Sequence, residues 1–415
     1  MRVRRSLAAA LAVGAATTAL TVTAGPAYAV ADNVCDGVDA TTPRGHTGRP
    51  SVPLVRLGVP AAQDQVKRFA PASPQVRVAV LSSGIIEAGE ALPIAARVDV
   101  SGAGGEVTDP QGTAIGGLVA GQERADGQLV GVAPDAGLVD VRVFVDRDSN
   151  EPAELPATPK VTAGLRWVAE QAKALNIKVA VVPFVVRESP SLREAVVAAQ
   201  KVGVVLVAAS GDRPAEGSEF SSEFDNPPAK DEDAGPLFFP AGFPGVVAVN
   251  AADPGSLESV VKNSRTSVAA PAYDAVSYGL NGVTCLVRPT STGAAAGEVA
   301  GVLALLWQRY PKSKPAQVVA RLENTADGTT DDPTPLTGYG VVQPYEALTR
   351  PLRPSKTGEV ERTVVREEDQ TRATAPEPED DLLASTRENA VWWGLIGGGV
   401  LLVALMLRPV LARRR

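Results

Sequence analysis

Five short stretches of the chain, residues 76–81, 138–144, 179–184, 203–209 and 246–250, are rich in valine and almost unbroken in apolar character. A strand with one wet face alternates apolar and polar residues, so unbroken runs of this length describe strands covered on both faces. Helix-period patterns lie among and after them, at residues 162–175, 191–202, 292–309 and 314–324. Ser191, with Glu194 three residues later, has the form of a capping box opening the second of these. Repeated strand–helix alternation predicts an α/β domain over residues 76–350, a parallel sheet with helices on both faces. A span of about 275 residues is ample for one large core.

The ends of the chain constrain where that domain works. Arg2, Arg4 and Arg5 precede an apolar stretch that ends in Ala27-Tyr28-Ala29, the charged, apolar and small-residue order of a secretory signal peptide over residues 1–29. Residues 391–407 carry no charge, open with Val391-Trp392-Trp393 and are followed by Arg408 and Arg413-Arg414-Arg415. A transmembrane helix is expected over residues 390–412, with residues 413–415 as a cytoplasmic tail and the ectodomain on the far side. Residues 30–75 are rich in turn formers and read as an N-terminal extension. Residues 351–389, rich in proline and charge, read as a solvated linker. Gly394 and Gly398 form a small-xxx-small pair suited to packing against another helix.

Composition excludes one class of partner. Setting aside the seven arginines of the two ends leaves 33 basic against 47 acidic residues, a net charge of −14 on the ectodomain. Nucleic-acid binding needs clustered Lys and Arg, so a nucleic-acid partner is not expected. Two cysteines in an exported chain, Cys35 and Cys285, suggest one disulfide, with two free thiols as the alternative. Such a bond would hold the extension close to the residues before position 291. Asp146-Arg147-Asp148-Ser149-Asn150 begins like a calcium loop, but Glu151 stands where the turn glycine belongs and Ala157 where the closing glutamate belongs. The acidic loop 223–233 reads as solvated surface, and no metal or cofactor is expected.

Three segments carry the strongest signal. The first run ends in Ser82-Ser83-Gly84, a tight turn. Gln111-Gly112-Thr113-Ala114 opens a helix, and Ser291-Thr292-Gly293-Ala294-Ala295-Ala296-Gly297-Glu298-Val299-Ala300-Gly301 opens another. Further phrases succeed one another in order: Gly131-Val132-Ala133-Pro134, Phe239-Pro240-Ala241-Gly242, Val268-Ala269-Ala270-Pro271 and Gly338-Tyr339-Gly340. Together they resemble the subtilisin-like serine proteases, the subtilases. With the signal, the cysteine-bearing extension, the linker and the anchor, the layout is similar to that of the mycosins, membrane-anchored subtilases associated with type VII secretion.

The resemblance implies a Ser-His-Asp triad, and at each of its positions the reacting side chain is missing. Ser82 stands in the place of the aspartate, Gln111 of the histidine and Gly293 of the serine nucleophile. Peptide hydrolysis needs a nucleophile, a base to take its proton and a carboxylate to orient that base. Glutamine has no usable basicity near neutral pH and glycine offers no nucleophile. Asp212 falls where the family has its oxyanion asparagine; an ionised carboxylate about 4 Å from a developing oxyanion opposes it by roughly 4 kcal/mol. Another register makes Ser291 the nucleophile, and a carboxylate base would then require Asp109 or Glu298 in the cleft. His46, the one histidine, lies in the extension and reads as an exposed loop residue. The resemblance, with these losses, implies an inactive scaffold among type VII secretion membrane components. Binding of extended peptides in the cleft, or an endopeptidase with displaced residues, are the alternatives.

Overall fold

The computed structural model describes residues 33–42, 45–70, 75–224, 228–255, 258–328, 332–360 and 383–412. The signal segment, most of the linker and the last three residues lie outside them. The chain divides into two units, Met1–Glu361 and Arg362–Arg415.

In the first unit seven strands form one parallel sheet: β1 (Arg77–Ser82), β2 (Ile94–Asp99), β3 (Gly137–Arg142), β4 (Ile177–Val182), β5 (Val205–Ala209), β6 (Val247–Ala251) and β7 (Thr266–Ala270). Their order is β2-β3-β1-β4-β5-β6-β7. The chain passes from β1 out to the edge at β2, returns through β3 and crosses to β4 on the other side of β1. In open sheets such a reversal leaves a crevice at the carboxyl ends of the strands. A separate antiparallel pair is formed by β8 (Ala275–Tyr278) and β9 (Thr284–Val287).

Within the same strand the side chains divide between two cores. Val78 and Val80 of β1 belong to one apolar cluster, Ala79 and Leu81 to the other. This is the physical content of the unbroken valine runs, because both faces of the sheet are dry. Helices α4 (Thr158–Gln171) and α5 (Pro190–Lys201) cover one face. Helices α3 (Gln111–Ala120) and α6 (Thr292–Arg309) cover the other, and α7 (Pro315–Thr325) and α8 (Pro344–Thr349) come after them. Helix α5 is capped two residues earlier than the sequence pattern indicates: the cap is Ser189 and not Ser191, and its Oγ accepts the Leu192 amide at 3.1 Å. Residues ahead of β1 add two helices not evident in the turn-rich sequence, α1 (Val52–Arg56) and α2 (Val59–Phe69). Val59, Ala62 and Val66 of α2 are buried in the first cluster.

Helix α6 is buried along nearly its whole length, and with it Glu298, which is 0% exposed and has no hydrogen-bond partner among the described residues on either carboxylate oxygen. Desolvation pushes its pKa well above the usual carboxylate value of 4.5. The folded state therefore holds a proton that the unfolded chain gives up, so stability falls as pH rises above about 4.5 until the folded pKa is passed. Glu298→Met should stabilise the domain by about 1–3 kcal/mol near neutral pH and flatten this dependence. Denaturant unfolding across the pH range checks it: equal slopes for both proteins refute the assignment.

The second unit is described by a single helix, α9 (Ala384–Ala412), whose 24-residue segment Ser385–Arg408 contains an 18-residue window of mean hydropathy 2.1. At 1.5 Å per residue this is long and apolar enough to cross a bilayer core of about 30 Å.

Candidate functional site

The crevice predicted by the strand order is present, and the ends of β1, β4 and β5 reach it together with the first turns of α3 and α6. A cleft of about 500 Å³ is lined by Gln111, Asp212, Ser291 and Gly293, with Asp36 and Arg147 at one wall. A second hollow of about 610 Å³ shares Gln111, Arg147 and Asp212 and continues past Pro183, Phe184 and Phe220. The structure thus brings together positions that lie far apart along the chain and that the sequence motifs single out.

Their contacts are those of a satisfied polar network. Ser82 Oγ at the end of β1 donates to Gln111 Oε1 at 2.9 Å. Ser83 Oγ accepts the Gly112 amide at 3.0 Å and donates to the Asp109 carbonyl at 2.9 Å, fixing the turn against the start of α3. Gly112 is required there, because a Cβ would stand 2.2 Å from the Gly84 carbonyl oxygen. Gln111 presents an amide that accepts a hydroxyl proton in a hydrogen bond and cannot remove one.

At the other wall, α6 begins with Ser291 as its N-cap. Ser291 Oγ accepts the Gly293 amide at 3.1 Å and donates to Asp212 Oδ2 at 2.9 Å. Asp212 Oδ1 accepts the Thr292 amide at 2.5 Å. Unpaired amides and the helix dipole make a helix N-terminus a natural anion site. Here the carboxyl group of Asp212 occupies that place; desolvation raises its pKa, and the bonds from Thr292 and Ser291, with Arg147, oppose the shift. The Thr292 and Gly293 amides at this terminus are both engaged, the first by Asp212 and the second by Ser291. Gly293 is packed against the backbone after β4: a Cβ at this position would stand 2.2 Å from the Pro183 carbonyl oxygen.

Asp109 and Glu298, the two carboxylates considered as bases, do not line the cleft. Asp109 is buried beside it; Oδ1 accepts the Gln111 amide at 2.7 Å and Oδ2 the Arg147 amide at 3.1 Å. Burial raises its pKa, and Arg147 with these amides opposes the shift. The Arg147 guanidinium, 3.3 Å from Asp109, also reaches Asp36 Oδ1 at 2.8 Å. Desolvation alone would lower the Arg147 pKa, and the facing carboxylates outweigh it, so the group is held cationic.

Asp36 reaches the cleft because its neighbour Cys35 is bonded to Cys285 of β9, with Cα atoms 5.0 Å apart. His46 also serves this attachment: its Nδ1 accepts the Thr284 amide at 2.9 Å. It is an exposed loop residue, as expected, that is tied by this bond, and desolvation, with Arg124 next, lowers its pKa. Arg147, Asp36 and Pro183 belong to this site without having a motif that assigns them to it. Arg147 lies in the run weighed as a calcium loop, where Asp146 instead accepts the Asp148 amide at 2.9 Å. Among the described residues no group of three or more His, Cys, Asp and Glu is placed to hold a metal ion.

Comparison with known proteins gives the same frame. Residues 107–342 match the model of the Subtilase family, Peptidase S8. The chain is 30% identical over 288 residues to fervidolysin of Fervidobacterium pennivorans, a match that covers 61% of this chain and 36% of that one. It is 30% identical over 316 residues to Mycosin-1 of Mycobacterium tuberculosis, covering 67% of this chain and 70% of the relative. A chain in the structure of an intact ESX-5 inner membrane complex has a similar fold, with TM-score 0.59, 21% identity, and coverage of 91% of this chain and 93% of that one.

Proposed function

The chain belongs to the subtilase family, and on that premise we propose that it is a catalytically silent, mycosin-like member, anchored in the membrane as an extracytoplasmic scaffold of a type VII secretion complex. The observation that carries the silence is the closed start of α6. Gly293 has no room for a side chain beside the Pro183 carbonyl, and the Thr292 and Gly293 amides already serve Asp212 and Ser291. With Ser82 and Gln111 hydrogen-bonded to each other, the family's base and its orienting carboxylate have no counterpart at their positions. Loss of a triad member removes on the order of a millionfold in turnover, and the cleft lacks all three. The secretion role is supported by the likeness to Mycosin-1 and to a chain of the ESX-5 inner membrane complex, and by the apolar helix Ser385–Arg408. The signal segment supports export, and the arginines after the span favour a short tail inside.

The full chain in membranes should give no adduct with a fluorophosphonate probe and no cleavage of peptide libraries, while co-purifying with secretion-channel subunits. Labelling at Ser291 would show that the Ser291–Asp212 pair is a working dyad and end the proposal. A second reading is favoured by the continuity of the two hollows, which form a trough flanked by Phe184 and Phe220. Such a trough suits an extended peptide that is held and released uncut. Equilibrium binding of a peptide recovered intact distinguishes it from a cleft with no occupant.

A further inference from the structure

The domain is acidic as a whole, yet one end of it is basic. Six exposed cations, Lys67, Arg68, Lys312, Lys314, Arg353 and Lys356, lie on segments that pack together there. Arg309, at the end of α6, stacks over Phe69 at the end of α2, with its guanidinium carbon 5.2 Å from the ring centre, and over Tyr310 at 4.9 Å. Arg321 of α7 lies 4.1 Å from the centre of the same Tyr310 ring, and its guanidinium donates to the Arg350 and Leu352 carbonyls. These contacts join the end of α2, the α6–α7 turn and residues 350–356 into one surface. The acids on the same segments are Asp64, Glu323, Glu346 and Glu359, and Glu346 is 3.4 Å from Arg350. Two large rings are open to solvent on these helices, Phe69 at 55% and Tyr345 at 40%.

We propose that this basic, aromatic-bearing end docks on the anionic headgroups of the bilayer that anchors the chain. Charge complementarity gives the class of partner, since Lys and Arg near an anionic surface each add attraction that salt screens. Tyr345 beside such a patch has the amphipathic character of membrane-interface residues, and Phe69 adds an apolar ring. The position of the chain gives the source: residues 350–360, which carry Arg353 and Lys356, are the last of the domain before the segment that continues to Ser385–Arg408. A tether converts weak surface attraction into an intramolecular contact at high effective concentration. The docking rests on the anchoring proposed above.

The test uses the full chain in nanodiscs of phosphatidylcholine alone or of phosphatidylcholine mixed with phosphatidylglycerol, read by amide hydrogen exchange. Peptides covering residues 64–70, 309–314 and 350–356 should exchange on the order of tenfold more slowly in the anionic discs. The protection should vanish at high salt and in the combined variant Lys67→Gln, Arg68→Gln, Lys312→Gln and Lys356→Gln. These four side chains make no hydrogen bond or ion pair among the described residues, so exchange elsewhere in the domain should be unchanged and report its folding. Equal exchange in both discs overturns the docking and leaves the anchoring intact. Protection that appears only when an acidic secretion subunit is added also overturns it, in favour of a protein partner. A chain that fails to co-elute with either disc refutes the anchoring, and the docking falls with it.

Discussion

Gly293→Ser destabilises the domain by roughly 3 kcal/mol and restores no peptidase activity, even when combined with Ser82→Asp and Gln111→His. The Cβ of any residue at 293 meets the Pro183 carbonyl oxygen at 2.2 Å. Because that atom is backbone, relief requires the start of α6 or the end of β4 to move, and such overpacking typically costs about 1–3 kcal/mol or more. Gly297→Ala, one turn further along the same helix, is the control. Its Cβ would make an ordinary contact 3.4 Å from Ile115, and the gain in helix propensity should leave stability unchanged or raised by about 1 kcal/mol. Denaturant midpoints of the two variants separate a local collision from a general intolerance of α6. Turnover of any peptide by the triple variant would mean that the cleft opens more readily than its packing indicates.

Removing the disulfide has the second large effect. The bond between Cys35 and Cys285 closes a loop with a sequence separation of 250 residues, so on the chain-entropy model its loss costs about 5 kcal/mol. Cys35→Ala with Cys285→Ala should therefore unfold at much lower denaturant. Below that transition the residues around Asp36 should exchange amide hydrogen faster, because the contact with Arg147 at 2.8 Å no longer has its anchor. A midpoint within error of the parent would show that the other contacts of the extension, such as His46 with Thr284, hold it unaided.

The parts of the fold that were legible in the sequence are those where burial is symmetric. β1, β3, β4, β5 and β6 are dry on both faces and appear as valine runs. β2 sits at the sheet edge with alternating half-buried and exposed residues, Arg97 and Asp99 among them, and gives no such run. Helix α2 had a readable signal, Val59, Ala62 and Val66 at helical spacing after Gly58, which the surrounding prolines and glycines obscured. At the site, the order of short phrases located Ser82, Gln111, Asp212 and Gly293. The sequence could not reveal that the Pro183 carbonyl closes on Gly293 or that Arg147 bridges Asp109 and Asp36. Those are contacts between residues with no sequence relation, created only when the strand ends converge.

A helix terminus occupied from within has little to offer a ligand supplied from without. Aldehydes and boronic acids inhibit serine peptidases by bonding the nucleophilic oxygen and placing an oxygen of the tetrahedral adduct against the oxyanion donors. If the chain is silent as proposed, with Gly293 in the nucleophile's place and the Thr292 amide held by Asp212, such reagents should find neither an atom to bond nor a free donor. In a membrane preparation where active relatives coexist with this chain, they should silence the former and leave the latter's associations untouched, which makes the two roles chemically separable in one experiment.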